Sequence, residues 1–294
     1  MTHLGGQTRP AAPGETAQVV RWEQRYLRWL YYVSAGGLAP WIVYLYYSQA
    51  RRALTHQVHV LDLGLILAIM AGVLVTAWLY ARARSAAVLA ASFTGTVAFI
   101  AAWFRVLAHA TRSRWPPALL LFLGIALVLI VLCVIVISSE FSTQTAARPR
   151  SRWLPAALVV AALVLIPCTI VVTDVIPAVQ VSHHLRVAWT GLDVFEFLGL
   201  AATGVALDRR SPAVTVPATI TGALLLCDAW INIIPTRGMA HTEAVVLAFV
   251  EVPMAALSFW VAARAVRRPA RMAGTDAPLA PGAGAGIDSG TGPG

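Results

Sequence analysis

The sequence predicts an all-α polytopic membrane protein whose eight transmembrane helices form two parallel four-helix repeats. Three observations carry that expectation: a charge-poor composition, eight apolar stretches of bilayer-spanning length, and a self-similarity at an interval of 127 residues. Of the 294 residues, 59% are hydrophobic and 12% charged, against about 25% charged in an ordinary soluble domain. Mean hydropathy is +0.73. The net charge of +9 raises the question of nucleic acid. The arginines are scattered between apolar spans, however, and form no basic face or arm, so no nucleic-acid partner is expected.

A run of about 20 apolar residues crosses the roughly 30 Å hydrocarbon core at 1.5 Å per residue. Such runs fall at 29–48, 60–80, 86–108, 117–137, 154–173, 187–207, 213–234 and 244–263. Helices are required, because no alternating strand pattern of a barrel is present and open backbone is not tolerated in lipid. Tyr26, Trp29, Tyr31, Tyr32, Trp41, Tyr44, Tyr46 and Tyr47 cluster at the ends of the first run, as an interfacial belt does. Residues 1–24 are polar and lack the apolar core of a signal peptide. They read as a disordered cytoplasmic segment, as does the Gly/Pro/Ala-rich tail 265–294. Cys133, Cys168 and Cys227 lie inside apolar runs with no metal or disulfide spacing and read as small core residues.

Orientation follows from arginine on alternate connections. One side carries 15 arginines, including Arg82, Arg84, Arg148, Arg150, Arg152, Arg209 and Arg210 with those of both terminal segments. The other side carries 7: Arg51, Arg52, Arg105, Arg112, Arg114, Arg186 and Arg237. Both termini are therefore expected in the cytoplasm, with the chain in the plasma membrane.

Shifting the chain by 127 residues aligns 25–107 with 152–234 without a gap, giving 19 identities in 83 positions. Matches include Pro40 with Pro167, His56 with His183, Gly64 with Gly191, Gly72 with Gly199, Thr76 with Thr203, Arg82 with Arg209, Thr94 with Thr221, Gly95 with Gly222 and Trp103 with Trp230. The units are expected at 25–138 and 153–264, joined by a cytoplasmic linker at 139–152. Four helices per unit send both units into the membrane in the same direction. Composition alone also makes apolar helices resemble one another; the recurrence of glycines and rare residues favours a repeat.

Four carboxylates lie deep within the apolar runs of the second unit: Asp193, Glu196, Asp228 and Glu251. Their counterparts in the first unit are Ile66, Ile69, Ala101 and Gly124. An ionisable group in hydrocarbon is costly unless partnered, solvated or neutralised, and so marks a functional site. All four fall roughly 10–15 Å below the outer surface by helical rise. Asp193 and Glu196 share a helix face with Thr203; Thr221, Asp228 and Asn232 share another; Ser258 follows Glu251 by seven. Gly191, Gly199, Gly204, Gly222 and Ala255 permit close helix approach, and Pro217 and Pro253 can free backbone carbonyls nearby.

A polar layer between the sixth, seventh and eighth spans is thus expected. Four neighbouring carboxylates in low dielectric require protons, a metal or an arginine for compensation. Arg105 is the first candidate partner and Arg186 the second, although both can snorkel. His183 and His184, on the expected outer loop, are weak metal candidates, since no HExxH is present. No P-loop, GxGxxG after a strand, GxSxG or haem-attachment motif occurs.

The stretch WTGLDVFEFLGLAATGVALDRRSP, then LLLCDAWINI, then EVPMAAL, covers mainly 187–263. It resembles uncharacterised actinobacterial multi-pass membrane proteins in which a GLD..E segment, a DAW motif and an E-x-P segment follow in this order. The resemblance implies no activity. Asn232 stands where that pattern carries an Asp or similar polar residue, which weakens a strict four-acid metal site.

The leading functional expectation is a proton- or cation-linked transporter or ion-binding protein for a small solute or ion. Its site would be Asp193, Glu196, Asp228 and Glu251, assisted by Asn232 and Thr203. One alternative is an intramembrane metal-dependent hydrolase of a lipid, with carboxylates and His183 or His184 as ligands; transition metal in the purified protein would favour it. Another is a non-catalytic assembly or interaction protein with structural acids, which should unfold when they are replaced. With no room for a soluble catalytic module, enzymatic activity is the less favoured class.

Overall fold

The computed structural model describes residues 29–30, 32–33, 36, 56–82, 84–108, 117–141, 153–175, 183–233 and 239–266. Seven α-helices and no strand occur among them: α1 His56–Ala81, α2 Ala87–Ala108, α3 Pro117–Phe141, α4 Trp153–Val175, α5 His183–Asp208, α6 Thr215–Ile233 and α7 Met239–Val266. Six are long and apolar enough to cross a membrane, over Leu63–Ala81, Ala87–Leu107, Leu119–Ser139, Val187–Asp208, Pro212–Ile233 and Val245–Val266. This architecture fits a multi-pass membrane protein. In α4 the apolar stretch within the described part, Trp153–Val164, is shorter. Most of the expected first span at 29–48, the segments 1–24 and 267–294, and most of the linker 139–152 lie outside the described residues.

Helix ends differ from the apolar runs by up to five residues, because backbone hydrogen bonding carries a helix past its apolar face. α3 extends to Phe141, into the expected linker. α5 begins at His183, so His183 and His184 form its first turn rather than a loop.

α6 is the most enclosed helix, with 72% of its membrane-length window buried. It packs on α7 and α5 and, across the molecule, on α2; α2 in turn packs on α1, α3 and α5, and α4 packs on α5. The larger apolar core joins both halves, running from Ile66, Ile69, Ile100 and Phe122 to Leu192, Leu224 and Ile231. A smaller one gathers Leu158, Leu200, Ala218 and Ala262.

Contacts recur at the interval of 127 residues. Thr76 Oγ1 donates to the Gly72 carbonyl at 2.7 Å and Thr203 Oγ1 to the Gly199 carbonyl at 2.8 Å. Thr76 faces Thr94 at 3.5 Å, and Thr203 faces Thr221 at 3.2 Å. α5 ends with Arg210 in the left-handed region (φ 53°). Beyond it, the Ser211 N–H donates to the Ala206 carbonyl at 2.8 Å, the closing bond of a Schellman cap. The matching bond at the end of α1 runs from the Arg84 N–H to the Leu79 carbonyl at 3.1 Å.

The most telling recurrence is reciprocal. A Cβ added at Gly64 would meet the Trp230 indole at 2.7 Å, and one added at Gly191 would meet the Trp103 indole at 2.7 Å. Each glycine therefore receives a tryptophan from the opposite half of the chain.

Candidate functional site

α5, α6 and α7 carry the four acids. On α5, Asp193 and Glu196 sit between two close approaches. Above them the backbone at Gly191 accepts Trp103, whose Nε1 donates to the Ala188 carbonyl at 3.1 Å. Below them, a Cβ at Gly199 would meet Thr221 Oγ1 at 2.6 Å. Small residues at both points draw α5 against α2 and α6, so that the intervening turn faces the interior. Leu192, between them, is buried in the main core.

Asp193, Glu196 and Asp228 each bring a carboxylate oxygen to within 4.8 Å of the other two. Glu196 is 1% exposed and Asp228 4%, whereas Asp193 and Glu251 are partly buried. Glu251 adjoins the trio: its side chain hydrogen-bonds Asp228, and Asn232 hydrogen-bonds the same carboxyl. The Asp228–Glu251 contact requires one of the two carboxyls to carry the proton, because two carboxylates both accept. Glu196 lies in the field of the other three acids.

Several buried threonine hydroxyls in the bundle are satisfied locally, whereas the buried Ser92 and Ser258 hydroxyls have no hydrogen-bond partner. Thr94, Thr96, Thr219 and Thr221 each donate to the carbonyl four residues back, at 2.7–2.8 Å. At the acids this economy fails: Glu196 Oε1, Asp228 Oδ1 and Glu251 Oε2 are buried and accept no hydrogen bond. Such leftover acceptors are rare in folded interiors, and each calls for an explanation such as a water, an ion or a functional role.

The structure does not bring every expected residue to this centre. Thr203 lies seven residues beyond Glu196, about 10 Å along the helix, with its hydroxyl engaged by Gly199 and Thr221. Thr76 makes the same contacts where no acid is present. For Arg105, one contact is with the Phe122 ring, 3.9 Å from its guanidinium, and it has a further partner besides. The side chains of Arg186, His183 and His184 lie outside the described residues. Sequence reading passed over Trp189, one turn above Asp193 on the same face; its indole N–H is buried without an acceptor, and its ring meets Phe104 edge-on at 6.4 Å. Only its i, i+4 spacing from Asp193 signals it.

The fold and this centre together define a class: a multi-pass helical membrane protein with a buried carboxylate cluster. Comparison with known protein families, curated proteins and solved structures finds no match to this chain.

Proposed function

We propose that this chain is a cation-binding transport protein of the plasma membrane, with the carboxylate centre as its ion site. The observation that carries the reading is the meeting of Asp193, Glu196 and Asp228 within 4.8 Å inside spans of membrane length. Carboxylates at that depth are costly, and ion pathways are where membrane proteins retain them.

The body that surrounds the site is read as two parallel four-helix repeats, 25–138 and 153–264, around an axis along the membrane normal. The reciprocal Trp–Gly contacts and the recurring caps support this. Both termini are placed in the cytoplasm. Arginine counts support that orientation, as do the stacking of Arg82 over Trp78 at 3.9 Å and of Arg264 near Trp260 at 5.0 Å, both at the same end of the bundle.

Reconstituted proteoliposomes loaded with a cation-sensitive dye test the reading. The wild-type chain should carry cation or proton flux, and Asp193→Asn and Asp228→Asn should each abolish it. Unchanged flux in both variants, with protein insertion verified, would sink it.

A further inference from the structure

We infer that Asp193, Glu196 and Asp228 hold one hard divalent cation of the Mg2+, Mn2+ and Ca2+ group, with Asn232 and Glu251 supporting Asp228. The inference rests on the cation-site reading above and names the ion class that the site takes.

Donor chemistry comes first. Among the described residues the group consists of carboxylates alone, with no histidine or cysteine among its members. Oxygen-only sites suit Mg2+, Ca2+ and Mn2+, whereas zinc and copper favour nitrogen and sulfur. Size agrees. Two oxygens on one ion stand at most twice the metal–oxygen distance apart, about 4 Å for Mg2+ and about 5 Å for Ca2+. The trio's oxygens lie within 4.8 Å of one another, near enough for one ion to be shared, with less closure for the larger ion than for the smaller. Charge also favours a divalent ion, which compensates more of a carboxylate cluster in a low-dielectric interior than a monovalent one does.

Two observations independent of the clustering point to a ligand. Glu196 Oε1 and Asp228 Oδ1, on side chains more than nine-tenths buried, accept no hydrogen bond. The other is an internal control. The first-half counterparts Ile66, Ile69 and Ala101 are 0%, 1% and 3% exposed, on a backbone that makes the same threonine, cap and tryptophan contacts. Helix packing of this design is therefore complete without acids, and packing does not explain their presence.

The test uses the full chain purified in detergent, stripped with EDTA and titrated with Mn2+ under electron paramagnetic resonance. One Mn2+ per chain should bind, displaced by Mg2+ or Ca2+ but not by Na+ at equal ionic strength. Its spectrum should show no coupling to histidine nitrogen. Glu196→Gln should weaken binding at least tenfold. The wild-type competition and nitrogen-coupling measurements decide the matter even if that variant fails to fold. Retention of Na+ or Zn2+ but not Mn2+ overturns the ion class and leaves the cation-site reading standing. Mn2+ binding unchanged in a folded Glu196→Gln overturns the assignment of the site, and failure of every ion tested overturns both readings.

Discussion

Replacing Asp193, Glu196 and Asp228 by their counterparts across the 127-residue interval, Ile, Ile and Ala, separates a ligand site from a structural one. In the first half, Ile66, Ile69 and Ala101 are almost wholly buried, so the local backbone accommodates these shapes. Exchanging buried ionic groups for packed apolar ones is neutral to stabilising by about 1–4 kcal/mol. Two of the three, Glu196 and Asp228, have leftover acceptors, which places this case in the upper part of that range, about 2–4 kcal/mol. At roughly 2–4 °C per kcal/mol, the unfolding midpoint should rise by about 4–16 °C. The assay is tryptophan-fluorescence melting of metal-free protein in one detergent at a fixed scan rate, with size-exclusion chromatography to verify folding. The same triple variant should bind no Mn2+. A midpoint lowered by more than a few degrees would refute the reasoning, because it would mean that the acids hold the helices together.

Two further predictions concern the frame around the site. Gly191→Ala and Gly64→Ala should each destabilise by about 1–3 kcal/mol, since the new methyl meets an indole at 2.7 Å in both places; Gly124→Ala, with nothing within 4 Å, should leave the melting midpoint within about 1 °C of wild type. Thr203→Val and Thr76→Val should cost about 0.6 kcal/mol each and leave Mn2+ affinity within twofold, because both hydroxyls serve helix packing; a tenfold loss in Thr203→Val alone would instead place that hydroxyl in the site.

The acids were legible because hydrocarbon makes a carboxylate conspicuous and because helical rise gives each one a depth. Asp193, Glu196 and Asp228 lie on different helices or turns, yet one count of residues from the membrane surface puts them in one layer. The hydrogen bonds of Thr203 were not legible, for a related reason. Its face was right, but a face repeats every seven residues, and spacing does not tell a ligand from a hydroxyl bonded to its own helix. Trp189 escaped notice because aromatic residues near a span end are ordinary belt residues, and only packing shows its indole N–H turned inward. The reciprocal contacts were half visible: Gly64 with Gly191 and Trp103 with Trp230 stood out as matched pairs. Their crossing, each tryptophan on the other half's glycine, belongs to tertiary structure and leaves no trace in linear spacing.

That crossing bears on how an ion site of this kind works. α5 is tied to the opposite half at its upper end, where Trp103 packs on Gly191 and donates to the Ala188 carbonyl. At its lower end it is tied to its own half, where Gly199 and Thr203 meet Thr221. Asp193 and Glu196 occupy the turn between those two attachments, while Asp228 rides on α6. The segment of α5 between 191 and 199, where two of the three carboxylates sit, is thus held at both of its ends. Sub-ångström shifts there change oxygen–oxygen distances that a bound cation reads steeply, whereas Ile66 and Ile69, between the equivalent attachments of α1, sense only packing. Matching attachments in both halves, with these acids in the second alone, thus put the proposed ion site on the helix segment that both attachments hold.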